Sequence, residues 1–178
     1  MSEKDIKVTA YCLAYNHEKY IRKTLEGFVN QKTNFGFQVI VHDDASTDNT
    51  ANIIKEYEKK YPDIIKPIYQ KQNQHSKGVS IFKTFIYPQI KGKYIAICEG
   101  DDYWCDNNKI QKQFDYMEKH PECSLCVHNT IKHDLKTGKE ELFNDWKEIH
   151  ELTANDIFYG WKVHTSSFFT RKEFMNPV

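Results

Sequence analysis

Short apolar runs alternate along this chain with stretches whose apolar positions recur every three or four residues, the pattern of strands followed by helices. Ile6 to Ala14 is rich in β-formers and predicts a first, buried strand. From Glu18 to Gln31, the residues Ile21, Leu25, Phe28 and Val29 fall at helical spacing. Phe37 to His42 predicts a second strand, broken by Asp43-Asp44-Ala45-Ser46-Thr47-Asp48. Ser46, Thr47 and Asp48 are all able helix N-caps. The helix they start carries Ile53, Ile54 and Tyr57 on one side and runs to Lys60, closed by Tyr61-Pro62-Asp63. Ile64 to Gln70 predicts a third strand, which Pro67 assigns to a sheet edge. Gln72 to Gly78 is a polar loop, and Val79 to Ile90 predicts a helix. Tyr94 to Cys98 then predicts a short strand, Ile110 to Lys119 a helix ended by His120-Pro121, and Cys123 to His128 a further strand. Asp134 to Lys139 reads as a polar turn and Leu152 to Phe158 as a short helix. The alternation gives an α/β fold with a mostly parallel sheet.

Composition narrows this picture only a little. The 178 residues suit one domain, and 39% hydrophobic and 14% aromatic content suits a packed core rather than disorder. Lys plus Arg and Asp plus Glu both number 25, so the net charge is zero. That balance provides no broad basic field for nucleic acid. The opening Met-Ser-Glu-Lys-Asp-Ile-Lys has no signal-peptide character, and no apolar run reaches the roughly 18 residues of a membrane span. The expectation is a cytoplasmic protein, with docking at the cytoplasmic face of a membrane left open. Five cysteines without a secretion signal read as free thiols. The Cys123/Cys126 pair is discounted as a zinc site, because strand positions three apart face opposite ways and no second pair follows.

Chemistry concentrates at the predicted strand ends, where open α/β sheets bind their ligands. Tyr15-Asn16-His17-Glu18 follows the first strand, Asp43-Asp44 the second, and Glu99-Gly100-Asp101-Asp102 the strand that starts at Tyr94. Single acidic residues in such places serve as caps and turn formers. Three carboxylates within four residues are different, since they repel one another unless a cation is present. Oxygen-rich acidic sites suit Mg²⁺ or Mn²⁺. Gly100 permits a tight turn or a close approach. The chain contains no GxGxxG after its first strand, no GxxxxGK[ST] and no GxSxG.

Ala14-Tyr15-Asn16-His17-Glu18-Lys19-Tyr20-Ile21 resembles the "TYN-x-E-x-Y-I/L" opening of family-2 glycosyltransferases. Asn30-Gln31 resembles the "NQ" that ends their first helix. The stretch from Val39 to Thr50 resembles "VIVVDDGSTDNT", and Gly92-Lys93-Tyr94-Ile95-Ala96 resembles "GKYIA". Glu99-Gly100-Asp101-Asp102-Tyr103-Trp104 stands where that family has "DADDYW", with its DxD metal motif. The resemblance implies a GT-A fold: a Rossmann-like, mostly parallel sheet flanked by helices, truncated at the C-terminus. It implies a nucleotide-sugar and metal-binding part over residues 6–128 and the start of an acceptor-side part over 129–178.

By the same resemblance, Tyr15 packs against the nucleotide base, in a pocket shaped by Ala14 and Asn16. Asp44 in the first place, with Asp43 as the second candidate, accepts a hydrogen bond from that base, commonly uracil. Glu18 joins the pocket or sits in the first turn of its helix. Lys77 lies in a loop where relatives often place a basic group near the donor. Asp101 and Asp102 handle the ribose and a Mn²⁺ or Mg²⁺ ion, the direct ligand left open between them, and Glu99 replaces the usual Asp. The implied activity is inverting transfer of a sugar from a nucleotide sugar, as a UDP-sugar, to a hydroxyl of a glycan or lipid-linked acceptor. The catalytic base is expected beyond Val178, since neither Asp145 nor Asp156 matches it. A non-catalytic sugar-nucleotide-binding module is the alternative. Trp146, Tyr159 and Trp161 are candidate acceptor or partner contacts or else a core edge opened by truncation, and His164 is a candidate approach to the donor.

Overall fold

The computed structural model describes residues 5–160 and 162–176. Trp161 lies outside them, as do residues 1–4, Pro177 and Val178. The expected strands and helices form in order: β1 (Ile6–Ala14), α1 (Ile21–Val29), β2 (Gly36–Asp43), α2 (Thr50–Lys60), β3 (Ile65–Tyr69), β4 (Tyr94–Ile97) and α3 (Lys109–Lys119). Then follow β5 (Leu125–Cys126), β6 (Ile131–His133), β7 (Glu140–Leu142), α4 (Ala154–Phe158) and β8 (Phe169–Arg171). Six strands make one sheet in the order β3-β2-β1-β4-β8-β5, and β6 and β7 pair as a separate ribbon. β3, β2, β1 and β4 run parallel.

β1 is buried on both faces because each face carries a layer. Val8, Ala10 and Cys12 share one core with Ile21, Leu25 and Phe28 of α1 and with Ile53 and Ile54 of α2. Tyr11 of β1, Ile40 of β2 and Ile95 and Ile97 of β4 share the other with Ile81, Ile86 and Ile90. A strand covered twice reads as a continuous apolar run, which is the signal Ile6 to Ala14 gives. β3 pairs with β2 alone and forms the sheet edge that Pro67 predicts.

Two expectations need correction, and one strand goes beyond them. Residues 79–90 do not form an α-helix: a π turn spans Phe82–Ile86 and a 3₁₀ turn Tyr87–Gln89. Pro88 has no N–H for the carbonyl four residues back, so an α ladder cannot run through it. The strand expected over 123–128 shrinks to Leu125–Cys126, and it does not join β4. β8, which the periodicity does not reveal, lies between them and is antiparallel to both.

Arg171 explains why so short a strand holds its place. It is buried, and its guanidinium donates to the carbonyls of Cys123 (3.0 Å), Met117 (2.8 Å) and His120 (3.0 Å) and to the Tyr94 hydroxyl (2.9 Å). β8 is thereby tied to β4 and to the end of α3. The polar turn expected over Asp134–Lys139 is the connection from β6 to β7, where Asp134 Oδ1 accepts from the N–H groups of Lys136 and Thr137. Among the described residues, no helix is long and apolar enough to cross a membrane.

Candidate nucleotide-sugar site

The loops leaving β1, β2 and β4 lie side by side at the carboxyl edge of the sheet, and the first two brace each other. Asn16, in the left-handed region at φ 57°, accepts from Thr47 N at 2.8 Å and donates its own N–H to Ser46 Oγ at 2.9 Å. His17 N donates to Thr50 Oγ1 at 2.8 Å. Glu18 N donates to Asp48 Oδ2 at 3.0 Å, and Glu18 Oε2 accepts from Asn49 N at 2.9 Å. The N-cap of α2 is Asn49, which makes no side-chain cap, so none of Ser46, Thr47 and Asp48 holds that place; Asp48 Oδ1 accepts from Thr50 N at 2.9 Å from one residue ahead of it. Burial opposes its charge, but these hydrogen bonds outweigh that and hold its carboxyl below the usual range. Ser46 and Thr47 instead serve the brace. Tyr15 is left with its side chain 45% exposed beside the brace.

Two adjacent aspartates end β2, and the structure separates them. Both Asp44 oxygens are occupied: Oδ1 accepts from Gln74 N at 2.7 Å and Oδ2 from His75 N at 3.0 Å. Asp44 therefore fixes the following loop, while its own N–H bonds the Ala14 carbonyl at 2.9 Å. Asp43 accepts from Ser46 N at 3.4 Å through Oδ2, and its buried Oδ1 has no partner. Lys77 is exposed on a short 3₁₀ turn in the loop that Asp44 anchors, and it donates to the Gln72 side chain.

Ala45 follows at φ 62°. A Cβ is disfavoured there, and the motif this stretch resembles carries glycine at that place. Ala45→Gly is expected to raise stability by about 0.5–1 kcal/mol. A urea midpoint that stays put or falls would contradict the strain argument.

The acidic loop after β4 is seated by α1. Thr24 Oγ1 lies 3.1 Å from the Gly100 carbonyl and 2.5 Å from that of Asp102, and Gly100 N donates to the Leu13 carbonyl at 3.0 Å. A Cβ on Gly100 would lie 2.5 Å from His17 Nδ1 and 3.0 Å from the Leu13 carbonyl oxygen, so only glycine fits without displacing the loop. Gln31, the second residue of the "NQ" pair, caps both sides of the next turn. Its amide donates to the carbonyls of Gly27 and Asp106 and its Oε1 accepts from Ile110 N.

Within this loop Glu99 Oε2 is buried without a partner. Burial pushes the Glu99 carboxyl up, and the neighbouring charges of Asp102 and Asp101 push the same way against a backbone hydrogen bond. Asp101 is exposed and Asp102 half-buried. His164 Nδ1 stands 3.5 Å from Asp102 Oδ2 and 2.6 Å from Ser166 Oγ. His164, a candidate on sequence, thus reaches the acidic loop from 62 positions downstream. Asp156 is committed elsewhere, accepting from Thr153 N in a capping box and from Lys162 Nζ. Among the described residues, no group of three or more His, Cys, Asp or Glu forms a cage for a metal ion.

The model for "Glycosyl transferase family 2" matches residues 12–174. An uncharacterized protein of Mycobacterium tuberculosis is 43% identical over 161 residues, covering 90% of this chain and 46% of that protein. The Escherichia coli enzyme WfaP, named as a UDP-Glc:alpha-D-GlcNAc-diphosphoundecaprenol beta-1,3-glucosyltransferase, is 33% identical over 111 residues, 62% of this chain and 41% of its own. The fold matches S. aureus TarS in complex with UDP at a TM-score of 0.70 and 21% identity, over 96% of this chain and 48% of that one. The chain thus spans about half the length of the proteins it matches. With the family model covering nearly the whole chain, and with a GT-A sheet whose strand ends carry the family's motifs in order, the chain belongs to glycosyl transferase family 2.

Proposed function

We propose that this chain carries the donor site of a glycosyltransferase that moves a sugar from a UDP-sugar to a hydroxyl of a glycan or lipid-linked acceptor, with Mn²⁺ or Mg²⁺. The observation that carries the reading is a pair of carboxylate oxygens, Asp43 Oδ1 and Glu99 Oε2, buried and without a partner among the described residues, just past two parallel strands of one sheet. A buried acceptor without a donor is costly, so each marks a place for one. Asp43 is the better partner for the base N–H, because Asp44 is spent on the loop at 74–75. Tyr15 supplies a ring for the base, a contact worth about 1–3 kcal/mol in nucleic-acid sites. Ala14 and Asn16 shape the pocket, and Glu18 holds its walls together through Asn49. Lys77 stands near the donor's charged end in this reading.

A divalent cation fits the acidic loop, where Glu99, Asp101 and Asp102 crowd negative charge and Glu99 keeps an unmatched oxygen. An ion that shares its coordination with a diphosphate needs only one or two carboxylates from the protein, as Mg²⁺ does at substrate phosphates. Asp101 and Asp102 would hold it. Bound there, it would act as a Lewis acid neutralising charge on the diphosphate. WfaP's name, with its UDP-glucose donor and diphospholipid acceptor, and the UDP complex of TarS support the choice of UDP. The reading places the protein in the cytoplasm, at the membrane face when the acceptor is lipid-linked. Transfer inverts the anomeric carbon in this reading, and a carboxylate other than Asp156 takes the acceptor proton.

Calorimetry of UDP with the chain is expected to show binding in Mn²⁺ that EDTA abolishes. A folded sample that binds UDP in neither condition would refute the donor site.

A further inference from the structure

On the acceptor side of the acidic loop lies a cavity of about 380 Å³, walled by residues 127–129 on one side and by 146–150 with Leu152 on the other. Pockets of about 300–1,000 Å³ hold small ligands. We propose that this cavity seats a sugar ring of the acceptor, with Trp146 as the stacking wall and His128 as the hydrogen-bond acceptor for one of its hydroxyls. The inference rests on the glycosyltransferase reading and adds to it a second, separate binding site.

Its position is the first reason. β5 runs antiparallel to β8, and β8 antiparallel to β4, so β5 points the same way as β4. Residues 127–129 therefore leave the sheet at the same edge as the acidic loop. The nucleotide loops lie across β1 and β2, on the opposite side of β4 from β5. An acceptor bound over β5 would meet a donor bound over β1 and β2 at the acidic loop between them.

Physical links cover the gap. Asn129 exchanges two hydrogen bonds with the Asn144 backbone, donating to its carbonyl at 2.7 Å and accepting from its N–H at 3.0 Å. Asn144 in turn donates to the Lys162 carbonyl at 2.8 Å. The Phe143 ring stands edge-on to His164 at 6.1 Å, and His164 faces Asp102. The wall of the cavity and the acidic loop belong to one hydrogen-bonded and packed surface.

The lining matches the two-sided chemistry of a pyranose ring. A sugar presents C–H groups on its faces and hydroxyls at its rim, so it needs an aromatic or apolar surface and a few directed polar atoms. Trp146 is half-buried and held edge-on against His150, with ring centroids 4.9 Å apart. His128 supplies a directed atom. Its Nδ1 lies 2.7 Å from the Asn129 carbonyl, which can only accept, so Nδ1 carries the proton. Burial and the nearby Lys109 push its pKa down to about 4, which leaves the ring neutral and Nε2 as a lone pair. That Nε2 is buried and has no partner. A lone pair in that state takes a hydroxyl proton and offers nothing to a phosphate. Lys147 and Glu148 cancel in charge, which also points to an uncharged ring.

The test titrates the chain with methyl β-glucoside, methyl β-galactoside and methyl N-acetyl-β-glucosaminide, followed by amide and indole chemical shifts. UDP with Mn²⁺ is measured on the same samples by calorimetry. At least one glycoside is expected to shift the Trp146 indole and the amides of 127–129. Trp146→Ala and His128→Phe are expected to weaken that binding by about tenfold or more, the fold-change of a lost stacking contact or hydrogen bond. Trp146→Phe, which keeps an aromatic face, should retain most of it, and UDP affinity should stay within about twofold of wild type as the check on folding. No glycoside binding, shifts confined to another surface, or binding indifferent to both substitutions would overturn the inference. Failure of UDP binding in the unsubstituted chain is a separate result. It strikes the donor reading and leaves the glycoside arm to be read on its own.

Discussion

Arg171→Met is expected to destabilise the protein by about 3–5 kcal/mol, the size of several buried hydrogen bonds to a charged group lost together. The side chain is 5% exposed, and all of its partners are inside the protein. Removing the guanidinium strips the carbonyls of Cys123 and Met117 of a donor while leaving them in place, and the His120 carbonyl keeps only the Cys123 N–H. Each unmatched buried acceptor costs about 1–3 kcal/mol, and methionine fills the volume without replacing a single donor. The Tyr94 hydroxyl keeps its bond to Glu118 at 2.5 Å, so part of the network survives. A control lies next to it. Lys93 bridges the same Glu118 at 2.7 Å, but both side chains are well exposed, at 58% and 43%. Lys93→Met should therefore cost no more than about 1 kcal/mol. Urea unfolding of the two variants measures both values. Equal losses would show that Arg171 acts as an ordinary surface charge.

The second large effect concerns binding rather than stability. Asp101→Ala combined with Asp102→Ala is expected to weaken Mn²⁺-dependent UDP binding by about 100-fold or more, since even outer partners of a metal site are worth about 10–100-fold in affinity. The fold should not suffer. Asp101 is exposed and Asp102 half-buried, and the loop is held through the backbone by Thr24 and Leu13, so the side chains lose only the 3.5 Å contact of Asp102 with His164. Two negative charges would also leave the neighbourhood of Glu99, where they disfavour its ionised form. Unfolding free energy should stay within about 1 kcal/mol of wild type, on the stabilised side if it moves. A double variant that binds UDP with Mn²⁺ as wild type does would remove the metal from the acidic loop.

The parts of this fold legible in sequence are those whose neighbours are local or double-sided. β1, β2 and β4 announce themselves as apolar runs because helices cover one face and the 81–90 segment the other. α1, α2 and α3 carry their period because each buries one stripe. Val79 to Ile90 misleads for the converse reason: its isoleucines do face a core, but Pro88 prevents the helix their spacing implies. β8 is invisible because three residues give no periodicity, and Arg171, a charged residue in a buried strand, has meaning only once its four partners have been brought around it. At the site, motif order identifies the loops, yet the roles of Asp43 and Asp44 within them depend on where residues 74–75 return.

The insertion of β8 between β4 and β5 also sets an order of events during synthesis. β5 leaves the ribosome more than 40 residues before Phe169, the start of the strand it pairs with among the described residues. Until then β1 to β4 can close on α1 and α2 through their own contacts, while Leu125 and Cys126 wait, and such distant pairing is slow to form. During that interval the β4 edge, made of the buried residues Tyr94, Ile95, Ala96 and Ile97, stands open. It is a short apolar edge of the kind that recruits strands from other chains. A nascent chain halted before residue 169 should therefore be the species most prone to aggregate, and release of Phe169 to Arg171 the step that ends the exposure.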